Sequence, residues 1–263
     1  MMLEAKQISV ELGQRTVVNQ VSLRVATGQL LALIGPNGVG KTTLLAALAG
    51  LRRFRGEVRL QGRPLAAWSR RARARTLAYL PQGHIAHWPL TVRRLVELGR
   101  LPHLAPWHAP AAADQLAVEA AMQRTDVAEL AERSFDTLSG GERARTMLAR
   151  VLAVEAPLVL ADEPVAALDP YHQLRVMELL RDYADSGAAV VVVLHDLTLA
   201  ARFCDALLLL HQGSLLAQGP ADAVLSSAHL AEAYRVAALH GEHEGQRYVL
   251  PWRRLAAREY HGA

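Results

Sequence analysis

The run Gly35-Pro36-Asn37-Gly38-Val39-Gly40-Lys41-Thr42-Thr43 has the composition of a phosphate cradle. It matches a pattern of glycine, four residues, glycine, lysine and then serine or threonine. Glycines let the backbone curl until successive N–H groups point at one anion, and the following helix adds its positive N-terminal end. In this arrangement Lys41 reaches the β- and γ-phosphates of a nucleotide and the Thr42 hydroxyl ligates magnesium. A tight turn before a core helix is the plainer reading. The flanks argue against it, because 30–34 reads as a buried strand and 42–51 as a helix, which is where phosphate binding requires the loop to be.

Further along, Leu158-Val159-Leu160-Ala161-Asp162-Glu163 is an apolar strand ending in two carboxylates. Ligand sites form at the carboxyl edges of parallel strands. Asp162 is therefore expected to hold magnesium through water, and Glu163 to polarise the attacking water as a general base. His195 ends a second apolar run, 189–194, and Asp196 after it is suited to capping a helix. A lone histidine at a strand end is more often structural; beside a phosphate loop and a carboxylate pair it becomes a contact for the γ-phosphate. Leu138-Ser139-Gly140-Gly141-Glu142 opens another helix, with a capping serine and glycines that leave N–H groups bare. By itself that is an ordinary capped helix start. In a chain that already has one cradle, a second anion site suggests service to a neighbouring chain's nucleotide.

The elements that must position these groups follow from periodicity. Residues 3–10 and 17–25 alternate as strands, 56–60 and 77–80 follow, and 92–98 and 114–132 read as helices around a Pro- and Ala-rich stretch. Then come a helix at 142–154, a strand at 158–161, a helix at 170–186, a strand at 189–194 and a short helix from Asp196. Two strands after Ala206, a helix at 221–225 and a weakly patterned end complete the chain. Alternating strands and helices imply a mainly parallel sheet covered on both faces.

With 263 residues, 51% hydrophobic and 21% charged, the chain is long enough to bury a full core. It is read as one compound domain over 1–263, with a core of 1–83 and 137–225, a helical insertion at 84–136 and an extension at 226–263. No apolar run is long enough to span a bilayer and no leader pattern is present, which places the protein in the cytoplasm. Cys204 reads as a small buried hydrophobe. A formal charge of +4 is modest, and Arg70, Arg71, Arg73 and Arg75 lack the aromatic interleaving suited to bases, so they read as a solvated helical face with no nucleic acid as partner. The only lysines are Lys6 and Lys41, and the second sits where the motif demands one.

In order, the phosphate loop, Tyr79-Leu80-Pro81-Gln82, Leu-Ser-Gly-Gly-Glu at 138–142, Asp162-Glu163, Ala167-Leu168-Asp169 and His195 resemble the ATP-binding subunits of ABC transporters, over nearly the whole chain. The resemblance implies a P-loop core with a mainly parallel sheet, an N-terminal antiparallel β part and a helical insertion. It implies a head-to-tail homodimer with two ATP at the interface, each held by 35–43 of one chain and by Ser139, Gly140, Gly141 and Glu142 of the other. Gln82 would ligate magnesium and sense the permease, and Asp169 would couple the two sites. The implied partners are integral-membrane permease subunits and, indirectly, a solute-binding protein, with the chain peripheral on the cytoplasmic face of the bacterial inner membrane.

Leu12 stands where the family commonly has an aromatic residue for adenine, and Val165 and Ala166 replace small polar residues. The segment 89–103 is similar to the subfamily serving iron–siderophore, haem and cobalamin uptake, and 195–202 agrees with it. A soluble ABC ATPase without a transport role is the rival, but this chain has one cassette and no heptads. His84, His87, His103 and His108, like His240 and His243, lack closed metal-site spacing and read as solvated loop histidines. Trp88 and Trp107 read as packing for the helical insertion or as contacts to the permease.

Overall fold

A computed structural model describes residues 1–83, 89–105 and 109–256. His84, His87, Trp88, Trp107 and His108 lie outside them. In chain order the elements are β1 (Leu3–Leu12), β2 (Arg15–Val25), β3 (Leu30–Ile34), α1 (Lys41–Leu48), β4 (Arg55–Leu60), β5 (Arg63–Pro64), α2 (Arg70–Thr76), β6 (Leu77–Leu80) and α3 (Val92–Glu97). They continue with α4 (Ala112–Arg124), α5 (Gly140–Leu152), β7 (Leu158–Asp162), α6 (Pro170–Asp185), β8 (Ala189–Val193) and α7 (Leu197–Phe203). The last are β9 (Ala206–His211), β10 (Ser214–Gly219), α8 (Ala221–Val224), α9 (Ser227–Tyr234), β11 (Val236–His243) and β12 (Gln246–Arg254).

A six-stranded sheet runs in the order β10-β9-β3-β8-β7-β6, and all of its pairings are parallel except β10 with β9. Its central strands β3 and β8 are apolar and buried throughout because both faces are covered. Along β3, Leu30, Ala32 and Ile34 enter the core shared with α5 and α6, while Leu31 and Leu33 enter the core shared with α1 and the antiparallel sheet. The same alternation divides Val190 and Val192 from Val191 and Val193 in β8. The antiparallel sheet has the order β2-β1-β4-β5.

Three expectations need correction. The helix read over 114–132 is α4 to Arg124, followed by a single 3₁₀ turn at Ala128–Leu130, because Asp126 turns the chain with a φ of 54°. The weakly patterned end is α9 and a two-stranded antiparallel sheet of β11 and β12. The arginines of α2 are not merely solvated: Arg71 and Arg75 donate from Nε to the Pro102 carbonyl at 2.9 and 2.7 Å, and Arg71 also reaches Leu104. Buried Arg100 ties the same helical region to the end of α5, donating to Asp114 at 2.9 Å and to the Ala153 carbonyl at 2.8 Å.

Candidate active site

Every parallel strand ends on the same edge, and the candidate site residues lie along that edge. The phosphate loop follows β3, Gln82 follows β6, Glu163 follows β7 and His195 follows β8. Gly35 and Gly40 have φ of 145° and 107°, and added Cβ atoms would lie 2.4 Å from the Leu210 carbonyl oxygen and 2.8 Å from that of Val17. Glycine at these two points lets β9 and β2 close directly against the loop.

Lys41 opens α1 and is 5% exposed. Its ammonium donates to the carbonyls of Gly35 at 2.7 Å and Pro36 at 2.9 Å. Burial lowers its pKa, and the carboxylates of Glu163 and Asp162 oppose that shift. A cation is thus held at the centre of a loop built from backbone.

Asp162 is the last residue of β7 and is 2% exposed. Its Oδ1 accepts a hydrogen bond from the Thr42 hydroxyl at 3.2 Å, while Oδ2 is buried without a hydrogen-bond partner. Burial raises its pKa; the Thr42 bond works against this, Glu163 adds to it, and Lys41 and His195 work against it. An orphaned carboxylate oxygen beside a hydroxyl is a hard, all-oxygen donor set, which fits magnesium. Among the described residues no group of three or more His, Cys, Asp or Glu side chains could hold a metal ion.

Glu163 follows β7 with a φ of 53°, and its Oε1 lies 2.6 Å from Nε2 of His195. The register explains the meeting: Asp162 pairs with Val193, so the segments after the two strands leave the sheet side by side. Both side chains open into a cleft of about 660 Å³, lined also by Gln82 and by Asn37 to Thr43.

The cleft has walls that sequence reasoning missed. Arg15, Thr16 and Val17 from the start of β2 and Gln212 and Gly213 from the β9–β10 turn line it; Leu12, at the position where the resemblance puts an aromatic residue for adenine, also lines it at the end of β1. Asn19 donates to the Gly213 carbonyl at 2.8 Å, which docks that turn on β2. The Gln212-Gly213 turn was the only signal available, and it marks a turn rather than a binding wall.

Ser139, Gly140, Gly141, Glu142 and Asp169 do not line this cleft. Ser139 caps α5 with a reciprocal pair: its Oγ accepts from the Glu142 N–H at 3.3 Å, and Glu142 Oε2 accepts from the Ser139 N–H at 2.7 Å. Asp169 caps α6 by accepting from the His172 N–H at 2.9 Å. A Cβ on Gly141 would touch Leu168 at 3.4 Å, so the two caps are neighbours.

His103 and His240 are bound rather than solvated, with Nε2 2.9 Å from the Val154 carbonyl and 2.7 Å from that of Leu225. Burial lowers the pKa of His103.

A family model described as ABC transporter matches residues 18–166, more than half of the chain. The chain belongs to the ABC transporter family. This ABC ATPase binds ATP and couples its hydrolysis to transport. Over 244 residues it is 49% identical to the hemin import ATP-binding protein HmuV of Nocardia farcinica, covering 91% of this chain and 83% of the relative. An inward-facing structure assigned to the metal-chelate type of ABC transporter superposes with a TM-score of 0.82 at 25% identity, covering 98% of this chain and 99% of that one. A dimeric ATP-binding cassette in a post-hydrolysis state, bound to ADP and phosphate, superposes with a TM-score of 0.75 at 25% identity, over 84% of this chain and 99% of that one.

Proposed function

We propose that this ABC ATPase energises import of haem through a separate membrane permease. The observation carrying the chemistry is the 2.6 Å contact between His195 and Glu163 at a cleft floored by the phosphate loop. Glu163 takes the proton of the attacking water, and His195 orients Glu163 and contacts the γ-phosphate. Lys41 exchanges the carbonyls of Gly35 and Pro36 for the β- and γ-phosphates. Thr42, Gln82 and Asp162 would hold Mg²⁺, which when bound neutralises charge developing on the phosphate oxygens.

Ser139 to Glu142 and Asp169 lie off their own chain's cleft, which supports a role in trans. Two copies would pair head to tail, the bare N–H groups at the start of α5 facing the other copy's ATP. Nucleotide then favours the closed dimer, closure pulls on the permease near Gln82, and hydrolysis releases it, so that binding energy becomes a population shift between two states of the transporter.

Haem is favoured as solute by the name of the Nocardia farcinica relative and by the metal-chelate type of the superposing transporter. Specificity itself belongs to the permease and a solute-binding protein, because the ATPase need not touch the solute. No helix among the described residues is long and apolar enough to cross a membrane, in keeping with a peripheral subunit on the cytoplasmic face of the bacterial inner membrane.

The test is mild-detergent purification of the tagged chain from its native membranes, followed by uptake assays of the recovered complex in proteoliposomes. A polytopic permease should co-purify, and ATP should drive accumulation of hemin over cobalamin and ferric siderophore. Recovery of soluble or ribosomal partners alone overturns the transport reading, and a preference for cobalamin or a ferric siderophore overturns haem.

A further inference from the structure

The hairpin of β11 and β12 has no part in the cleft, yet it is bonded to the helix that begins two residues after His195. That helix, α7, has only seven residues. Isolated helices shorter than roughly 12–15 residues are marginal in water, so its placement depends on what packs against it. Leu197, Leu199 and Ala200 turn one face into the core. Thr198 and Arg202 lie one turn apart on another face.

Both of those side chains bond β12. The Thr198 hydroxyl donates to the Val249 carbonyl at 2.9 Å and accepts from the Val249 N–H at 3.2 Å. Arg202 donates from Nε to the Gln246 side-chain carbonyl oxygen at 2.7 Å. A threonine hydroxyl in a helix commonly bonds a carbonyl of the preceding turn; here it satisfies both polar groups of one peptide position on the outer edge of a strand. The hairpin is held in turn at its other strand. His240, which pairs with Val249, has Nε2 2.7 Å from the Leu225 carbonyl just beyond α8.

We propose that the C-terminal hairpin is a clamp on α7, and that Thr198 is a positioning residue which sets His195 against Glu163. Leu194 is fully buried, and the Asp196 carboxylate caps α7 by accepting from the Leu199 N–H at 2.8 Å. Only His195 and Asp196 lie between that buried anchor and the helix, so the placement of α7 sets where the imidazole points. This rests on the roles proposed above for Glu163 and His195.

The test is steady-state ATPase kinetics of the full chain carrying Thr198→Val, which keeps the shape and removes both hydrogen bonds, with Thr198→Ser as the rescue. Loss of positional precision is expected to lower kcat on the order of tenfold, with KM for ATP within about twofold of wild type, and serine should restore kcat. In a His195→Ala background, Thr198→Val should cause no further loss, because the clamp acts through that imidazole. Should Thr198→Val fail to fold, Gln246→Ala removes the exposed second contact and should lower kcat in the same direction.

Wild-type kcat in Thr198→Val, or in Gln246→Ala where that is the folded variant, overturns the clamp. So does an equal loss in the His195→Ala background. If His195→Ala alone leaves kcat unchanged, the proposed role of His195 falls first, which separates failure of the site from failure of the clamp.

Discussion

Glu163 and His195 meet at 2.6 Å because β7 and β8 are parallel neighbours in register, with Asp162 opposite Val193. Neither residue depends on a long loop. The acid follows directly on a buried strand, and the imidazole sits two residues beyond the next one. Thr42 and Asp162 are joined across the same edge, from the first turn of α1 to the end of β7. Side chains mounted in this way are held more precisely than side chains on long loops.

Replacing Lys41 with alanine removes the one cation that the loop encloses. Charge-assisted hydrogen bonds contribute about 1.5–3 kcal/mol each, so ATP affinity should fall at least about tenfold to a hundredfold. Titration of the purified variant with a fluorescent ATP analogue measures this. Unchanged affinity would remove Lys41 from phosphate binding.

Asp162 gives a pH dependence whose sign can be worked out. Its folded pKa is raised, chiefly by burial. Its contribution to stability is therefore fully present below the unfolded value and is lost as pH rises through the folded one. Asp162→Asn cannot ionise and escapes that loss, so it should melt higher than wild type in nucleotide-free buffer at a pH well above the unfolded carboxylate range. The gap should narrow as pH falls toward the unfolded carboxylate range. Thermal unfolding across a pH series reads both; a variant that melts lower at neutral pH contradicts the assignment. The same substitution should abolish Mg²⁺-dependent hydrolysis.

Ser139→Ala separates a cap from an anion site. As a cap alone, the loss is about 1 kcal/mol of stability and nothing else. If Ser139 serves the other copy's ATP, ATP-driven dimerisation should weaken well beyond that loss. Size-exclusion chromatography of Glu163→Gln with and without Ser139→Ala, in ATP, distinguishes the two, and equal dimer fractions leave only the cap.

The parts of this site that are legible in sequence are those where one local pattern carries both structure and chemistry. Gly35 to Thr43 sits between an all-apolar strand and a helix, and Asp162-Glu163 ends another such strand. The walls at Arg15 and Gln212 were not legible, since only tertiary contact between β2 and the β9–β10 turn brings them to the cleft. The C-terminal hairpin was missed for a different reason. Glu244 and Gly245 turn it with φ of 51° and 73°, the primed geometry that Asn-Gly or Asp-Gly signals more strongly than Glu-Gly. Pro251 lies beside a register shift at Ala237 and Ala238, where a missing N–H is tolerated. Likewise, nothing in an Arg-rich stretch foretold that Arg71 and Arg75 would be spent on the Pro102 carbonyl.

The most direct measurement is turnover and ATP binding in Glu163→Gln, which keeps the shape of the side chain and removes its basicity. ATP affinity should stay within about threefold of wild type while kcat falls by roughly 10² or more, the range expected for loss of a general base. Turnover near the wild-type rate, in protein that binds ATP normally, would contradict the assignment of Glu163 and with it the mechanism built on its contact with His195.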